Sequence, residues 1–247
     1  MDKFNEHLSA KGIVFACSMY NIQHTVTPVN GKLQVKLECE RPDVEIRYTM
    51  DGKEPTDRSS LYKNPLMVTG TQTIKCTTYR AGRQMGKTLT LPLVWNKATA
   101  KPVLGNTQAG KILVNGIRGS LRQSDFEWHS WESSDSVAFT IDLQKKESLR
   151  SVSVGCITNY GMAAHKPADI EVWVSNDNRD YRKVSGKQFT DGEIFREGTF
   201  KEDVVLDLNK EIGRYVRIIA KGAGECPATH VRPGQEARIY FDEVMIE

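Results

Sequence analysis

The chain lacks most of the features that would assign a function quickly. No Gly-x-Ser-x-Gly, His-Glu-x-x-His, Walker loop or dinucleotide fingerprint occurs in its 247 residues, so no enzyme class has a motif to stand on. No run approaches the roughly 20 apolar residues a membrane span requires. The opening Met1-Asp-Lys-Phe-Asn-Glu lacks the charged-then-apolar layout of a signal peptide. The chain is therefore expected to be either cytoplasmic or a piece of a longer protein, and a start that drops directly into helix-like sequence favours the piece. Charge of one sign is also scarce. The net charge is +3, divided as +6 over residues 1–104 and −3 over the rest, with pairs such as Lys145-Lys146 but no basic stripe interleaved with aromatics. That argues against nucleic-acid binding. No repeat or low-complexity tract is evident. With 39% hydrophobic and 26% charged residues, the chain has the composition of a folded protein, with a core available to each half.

Cysteines are few and badly spaced for metal. Cys17, Cys39, Cys76, Cys156 and Cys226 form no Cys-x-x-Cys and no Cys/His cluster at zinc spacing, so a zinc site is not expected. Cys39 and Cys76 fall on expected strands of one half, and Cys156 and Cys226 near expected loops of the other. One or two disulfides in an oxidising compartment and small buried thiols are both open readings.

Periodicity then sets the fold class. Residues 3–12 carry Phe4, Leu8 and Lys11 at helical spacing and stop at Gly12, giving a helix too short to fold alone. From Leu33 the period becomes two: Leu33, Val35, Leu37 and Cys39, then Val44, Ile46, Tyr48 and Met50, then Ile74 to Tyr79 and Leu89 to Trp95. This predicts a small immunoglobulin-like sandwich. After a break at 97–105, alternation resumes in Val137 to Leu143, Ile170 to Val174, Val204 to Leu208, and Val216 with Ile218, which predicts a jelly roll. Ser175 to Tyr181 has the composition of a hairpin tip.

Two stretches carry resemblances. Glu45-Ile-Arg-Tyr-Thr-Met-Asp-Gly-Lys-Glu-Pro-Thr56 looks like the signature of the small sandwich at the C-terminus of chitobiases and other β-hexosaminidases. Its physical content is a strand ending in a turn, where Gly52 takes positive φ and Pro55 cannot donate to a ladder. Leu113 to Ser120, with Trp128, Trp131, Cys226-Pro-Ala-Thr-His230 and Tyr240 to Val244, resembles the discoidin-like sandwich of coagulation-factor type C domains and family 32 carbohydrate-binding modules.

The order of these parts resembles the C-terminal region of a bacterial family 20 β-N-acetylhexosaminidase. The resemblance implies an all-β chain. Residues 1–20 would be the remnant of a catalytic barrel, 21–97 the immunoglobulin-like sandwich, 98–105 a linker and 106–247 a galactose-binding-like discoidin domain. It also implies a periplasmic, cell-surface or secreted parent that removes terminal N-acetylhexosamines, and a non-catalytic fragment that binds glycans ending in galactose or N-acetylhexosamine. The rival reading is a structural appendage that packs on the barrel or mediates association. Asp242-Glu243 resembles the catalytic pair of the parent family, but it ends a β-sandwich with no barrel around it, and adjacent strand residues face opposite ways. It is assigned no catalytic role.

A sugar site needs an aromatic face and polar groups for the hydroxyls. In a discoidin-like fold the candidates would converge on one rim: Trp128 (with Trp131 nearby), Asn159, Tyr160 and His165, then Glu225, His230 and Arg232. Tyr160, between Asn159 and Gly161, is the preferred platform. The chain departs from family 32 modules in having Ala163-Ala164-His165-Lys166-Pro167 where an aromatic commonly precedes the proline. Family resemblance further implies a structural calcium, with Asn115 at the usual Asp position and Ser120 and Glu243 completing the pattern.

Overall fold

The structure is a computed structural model that describes residues 18–106, 108–132 and 136–247. The expected helix over 3–12 and Cys17 lie outside the described residues. The described residues are almost all β, and they divide into two compact units, one of residues up to Val26 with Gln34–Leu93, the other of Thr27–Leu33 with Val94–Glu247.

Strands β1 (Gln23–Val29), β2 (Lys32–Glu38), β3 (Glu45–Thr49), β4 (Ser60–Leu61), β5 (Leu66–Val68), β6 (Gln72–Arg80), β7 (Arg83–Gln84) and β8 (Leu89–Leu93) build two small sheets. One runs β1-β2-β5; the other runs β4-β3-β6-β7, with β8 also on β6. The alternation in β2 is realised, since Leu33, Val35 and Leu37 are buried between exposed or half-exposed neighbours. The turn after β3 has Gly52 at φ 76°, as the strand-and-turn reading requires. β1, with its mixed burial, and the short β4, β5 and β7 had no alternation to announce them.

The second unit carries β9 (Val103–Leu104), β10 (His129–Glu132), β11 (Ser136–Asn159), β12 (Asp169–Ser175), β13 (Arg182–Gln188), β14 (Thr199–Lys221) and β15 (Arg238–Ile246). They hydrogen-bond in the order β10-β15-β11-β14-β12-β13, with β9 on β11. The two separate strands expected at 204–208 and 216–218 are one strand, β14, paired along most of its length with β11. Both bend where the register shifts, between Asp142 and Glu147 and again between Leu149 and Ser151. The inward residues of β11 change parity across those shifts: Val137, Phe139, Ile141 and Leu143 before, Val152, Val154 and Cys156 after, all in one core cluster. A uniform alternation would have turned one set outward.

The bend makes one pair of strands serve both layers and brings both of its ends to one rim. The short segment after β11 demonstrates this. Ala164 bridges Asn159 and Arg238 in one layer, while Ala168 N–H bonds Lys221 O and Asp169 pairs with Lys221 in the other. The stretch 98–105, expected as a linker, instead belongs to this unit: Ala98 sits in its core cluster and Val103 and Leu104 pair with Ile141 and Thr140.

Candidate functional site

Three loops meet at the rim: 160–168 between β11 and β12, 189–198 between β13 and β14, and 222–237 between β14 and β15. In the second, Thr190 and Glu193 form a reciprocal capping box on the four-residue helix Asp191–Ile194. That fixes the Ile194 carbonyl. His165 is 1% exposed and its Nδ1 lies 3.0 Å from Ile194 O, while its Nε2 lies 3.2 Å from Nε2 of His230, itself 4% exposed.

The partners determine where the protons sit. Arg232 N–H donates to His230 Nδ1 at 2.9 Å, so that nitrogen carries a lone pair and the proton of a neutral ring is on Nε2. His230 Nε2–H then donates to His165 Nε2, and His165 Nδ1–H donates to Ile194 O. Two neutral imidazoles thus link three loops in one directed chain. Burial is the main cause holding both rings below the usual histidine range, His165 down to about 4.

Tyr160 stands beside this chain. It is half-buried in a 3₁₀ turn (Tyr160–Met162), its N–H bonds Gly198 O at 3.0 Å, its hydroxyl donates to Thr229 O at 3.3 Å, and its ring centroid is 3.9 Å from that of His230. Arg232 is exposed and donates from Nε to Gly161 O at 2.6 Å and from Nη1 to Gln235 Oε1. Glu225 is exposed and its backbone bridges Glu236. Asn159 is half-buried at the end of β11.

Six of the seven glycan-site candidates, all but Trp128, therefore belong to the rim loops or to the strand end that feeds them. His165 and His230 are corrected from sugar contacts to buried supports. Trp128 is corrected too: it is 6% exposed, donates from Nε1 to Ser120 O at 3.0 Å, and packs so closely on Gly119 that a Cβ there would lie 2.3 Å from its ring. Half-buried Trp131 stacks against Phe139 and packs at a tilt on Phe241. Sequence reasoning missed Phe126, 94% exposed in the loop before Trp128. It also missed Cys226, whose buried thiol joins His165 and His230 so that their ligand-type atoms lie within 4.8 Å of one another. No spacing rule finds a cluster assembled from two loops 60 residues apart. The four cysteines among the described residues are free thiols.

The expected cation residues are occupied with other partners. Asn115 accepts Ile117 N–H on Oδ1 and donates from Nδ2 to Glu127 at 2.7 Å. Ser120 Oγ accepts Arg122 N–H, and Glu243 Oε2 accepts Gly116 N–H at 3.0 Å. The Glu243 carboxyl is buried and held toward its neutral form, which disfavours it as a cation ligand. A hard divalent ion takes six to eight oxygens, and the side chains of Asn115, Ser120 and Glu243 are each turned to protein hydrogen bonds. Asp242 and Glu243 instead sit in a bulge of β15, between the pairs Cys156↔Phe241 and Val154↔Val244. Asp242 accepts Arg118 Nε at 2.9 Å and Gly119 N–H at 3.0 Å, and Arg118 also pairs with Asp203. The bulge thereby ties down the 116–119 segment.

Residues 97–232, more than half of the chain, match the F5/8 type C domain. The chain belongs to the F5/8 type C domain family. Ahead of the F5/8 type C unit, residues 27–90 match the chitobiase/beta-hexosaminidase C-terminal domain. Both are accessory rather than catalytic domain types. Similar solved structures include the C-terminal domain of a chitobiase from Bacteroides fragilis, at 12% identity and TM-score 0.33 over 53% of this chain and 76% of that one. A chitosan-binding module of a Paenibacillus chitosanase/glucanase is 15% identical at TM-score 0.39, covering 62% and 98%. A Streptococcus pneumoniae fucose binding module is 18% identical at TM-score 0.38, covering 62% and 94%. Comparison with curated protein sequences gives no match. No helix among the described residues is long and apolar enough to cross a membrane.

Proposed function

We propose that the F5/8 type C unit binds the terminal sugar of a glycan, of galactose or N-acetylhexosamine type, on the rim formed by loops 160–168 and 222–237. Tyr160 supplies the aromatic face, and Asn159, Glu225 and Arg232 supply the polar groups. The observation that carries this reading is the fixation of Tyr160, whose amide is held by loop 189–198 and whose hydroxyl and ring are both held by loop 222–237. A platform immobilised before the ligand arrives loses little entropy on binding. On this reading the chain is a non-catalytic piece of a secreted or surface β-N-acetylhexosaminidase, and its partner within the parent is the catalytic barrel.

The test is a glycan array followed by titration calorimetry of the best hit. Tyr160→Ala and Arg232→Ala should each weaken binding by roughly tenfold or more, the scale of a lost anchor of about 1.4 kcal/mol. A folded chain that binds no glycan sinks the proposal. That result would favour the structural appendage, a reading supported by the burial of Trp128, His165 and His230.

A further inference from the structure

The cluster of His165, Cys226 and His230 is the most unusual chemistry outside the contact surface itself. Three ligand-type atoms within 4.8 Å suggest a transition-metal site. The proton positions argue otherwise. A metal needs the Nε2 lone pair of each ring, yet His230 Nδ1 already accepts Arg232 N–H, which leaves Nε2 as the protonated nitrogen. Binding a metal would turn Nδ1–H of His230 against the Arg232 amide.

The same hydrogen bonds carry a different inference. We propose that the His165–His230 pair is an acid-released clasp that holds loop 222–237 in its binding shape. The regulatory part of this inference rests on the rim being the glycan site. Every donor in the chain meets an acceptor only while both rings are neutral. A proton added to His230 lands on Nδ1, facing Arg232 N–H; a proton added to His165 lands on Nε2, facing His230 Nε2–H. Either event replaces a hydrogen bond by two opposed donors in a buried place.

Among the described residues no carboxylate acts on either ring, and the Ile194 carbonyl offsets only part of the cost of charging His165. The groups packed on the pair are the Tyr160 ring, the Phe195 ring and Ile194 carbonyl, the Cys226 thiol, and Arg232, whose own charge adds to the opposition. Burial raises the Cys226 thiol above its ordinary value, so it supplies no thiolate. Once the central bond is lost, loop 222–237 keeps the packing of Cys226 and Ala237 on Ala163 at its base, while its tip, residues 227–234, is tied across the rim by Tyr160 hydroxyl to Thr229 O and Arg232 Nε to Gly161 O.

The experiment uses the full chain labelled with nitrogen-15 and follows histidine tautomers and amide exchange from pH 7.5 to 4. At pH 7 His230 should show Nε2–H and His165 Nδ1–H. Protection of amides in 226–237, relative to core amides of β11, should fall by up to about tenfold per pH unit once the rings begin to protonate. His165→Gln retains an acceptor for His230 Nε2–H but does not titrate, so its loop should open at lower pH. Rings that titrate together at the ordinary value with loop protection unchanged would overturn the clasp. So would stoichiometric zinc binding at pH 7 that Cys226→Ser abolishes. These readouts need no sugar and stand even if the glycan proposal fails. Where a glycan does bind, affinity unchanged across the pH range in which the loop opens overturns the regulatory part.

Discussion

Two anchors hold loops onto the second unit, and they work by opposite chemistry. The brace at the β15 bulge uses charge: buried Asp242 accepts Arg118 and Gly119, with Asp203 on the far side of the guanidinium. The clasp at the rim uses neutral rings and backbone groups alone. Burial pushes both pairs of titratable groups toward their neutral forms, which means a raised range for Asp242 and Glu243 and a lowered one for His165 and His230. Acid therefore neutralises the buried carboxyls and charges the buried rings. Glu243, fully buried, destabilises the fold when ionised and is relieved as pH falls. The clasp contributes fully above the ordinary histidine range and is lost as pH falls from about 6.5 toward about 4.

The sharpest way to break this contrast is to remove the charged anchor. Asp242→Ala leaves Gly119 N–H without an acceptor and Arg118 with Asp203 as its remaining acidic partner, and should cost about 2–3 kcal/mol in urea unfolding. A loss below 1 kcal/mol would mean that the brace is idle. Gly119→Ala tests packing rather than charge. Its Cβ would meet the Trp128 ring at 2.3 Å, so a loss of about 1–3 kcal/mol is expected, with a shift in tryptophan fluorescence.

The pH profile of stability separates the two anchors without mutating the brace. Between pH 6.5 and 4.5 the wild-type chain should lose about 2 kcal/mol more than His165→Gln, because the variant lacks one of the two depressed titrations. Equal slopes would remove the distinction drawn here. The smallest effect on stability belongs to Tyr160→Ala, about 1 kcal/mol or less in unfolding experiments even though glycan affinity drops, because the ring is only half-buried and touches loops rather than core.

How far the sequence foretold this molecule depended on how local each determinant was. The alternations Leu33-Val35-Leu37 and Val137-Phe139-Ile141-Leu143 are written in consecutive residues, and they reappear as β2 and the first half of β11. Gly52 in its turn was legible for the same reason. The union of 204–208 with 216–218 into one strand was hidden by Asn209 and Lys210, which read as a loop but lie at positive φ within β14. The placing of Tyr160 and Arg232 on one rim came from the discoidin-like resemblance, since no local pattern joins loops so far apart in sequence. The burial of Trp128, His165 and His230 was not legible, since it depends on Gly119 yielding space and on Ile194 and Arg232 presenting backbone groups from elsewhere. Phe126 escaped notice because no rule of period or spacing marks an aromatic that stays in water.

The bend shared by β11 and β14 has a consequence for how the molecule comes into being. Pairing of Asn159 with Thr199 closes the shorter loop, and each further pair toward Ser136 and Lys221 must wait for a longer excursion of chain to be drawn in. The rim needs both extremes of that ladder, so it is the last part of the unit to be assembled. A nascent or refolding chain would acquire a protected core before it acquired a binding surface, and the gap between the two would show as binding competence lagging behind tryptophan burial.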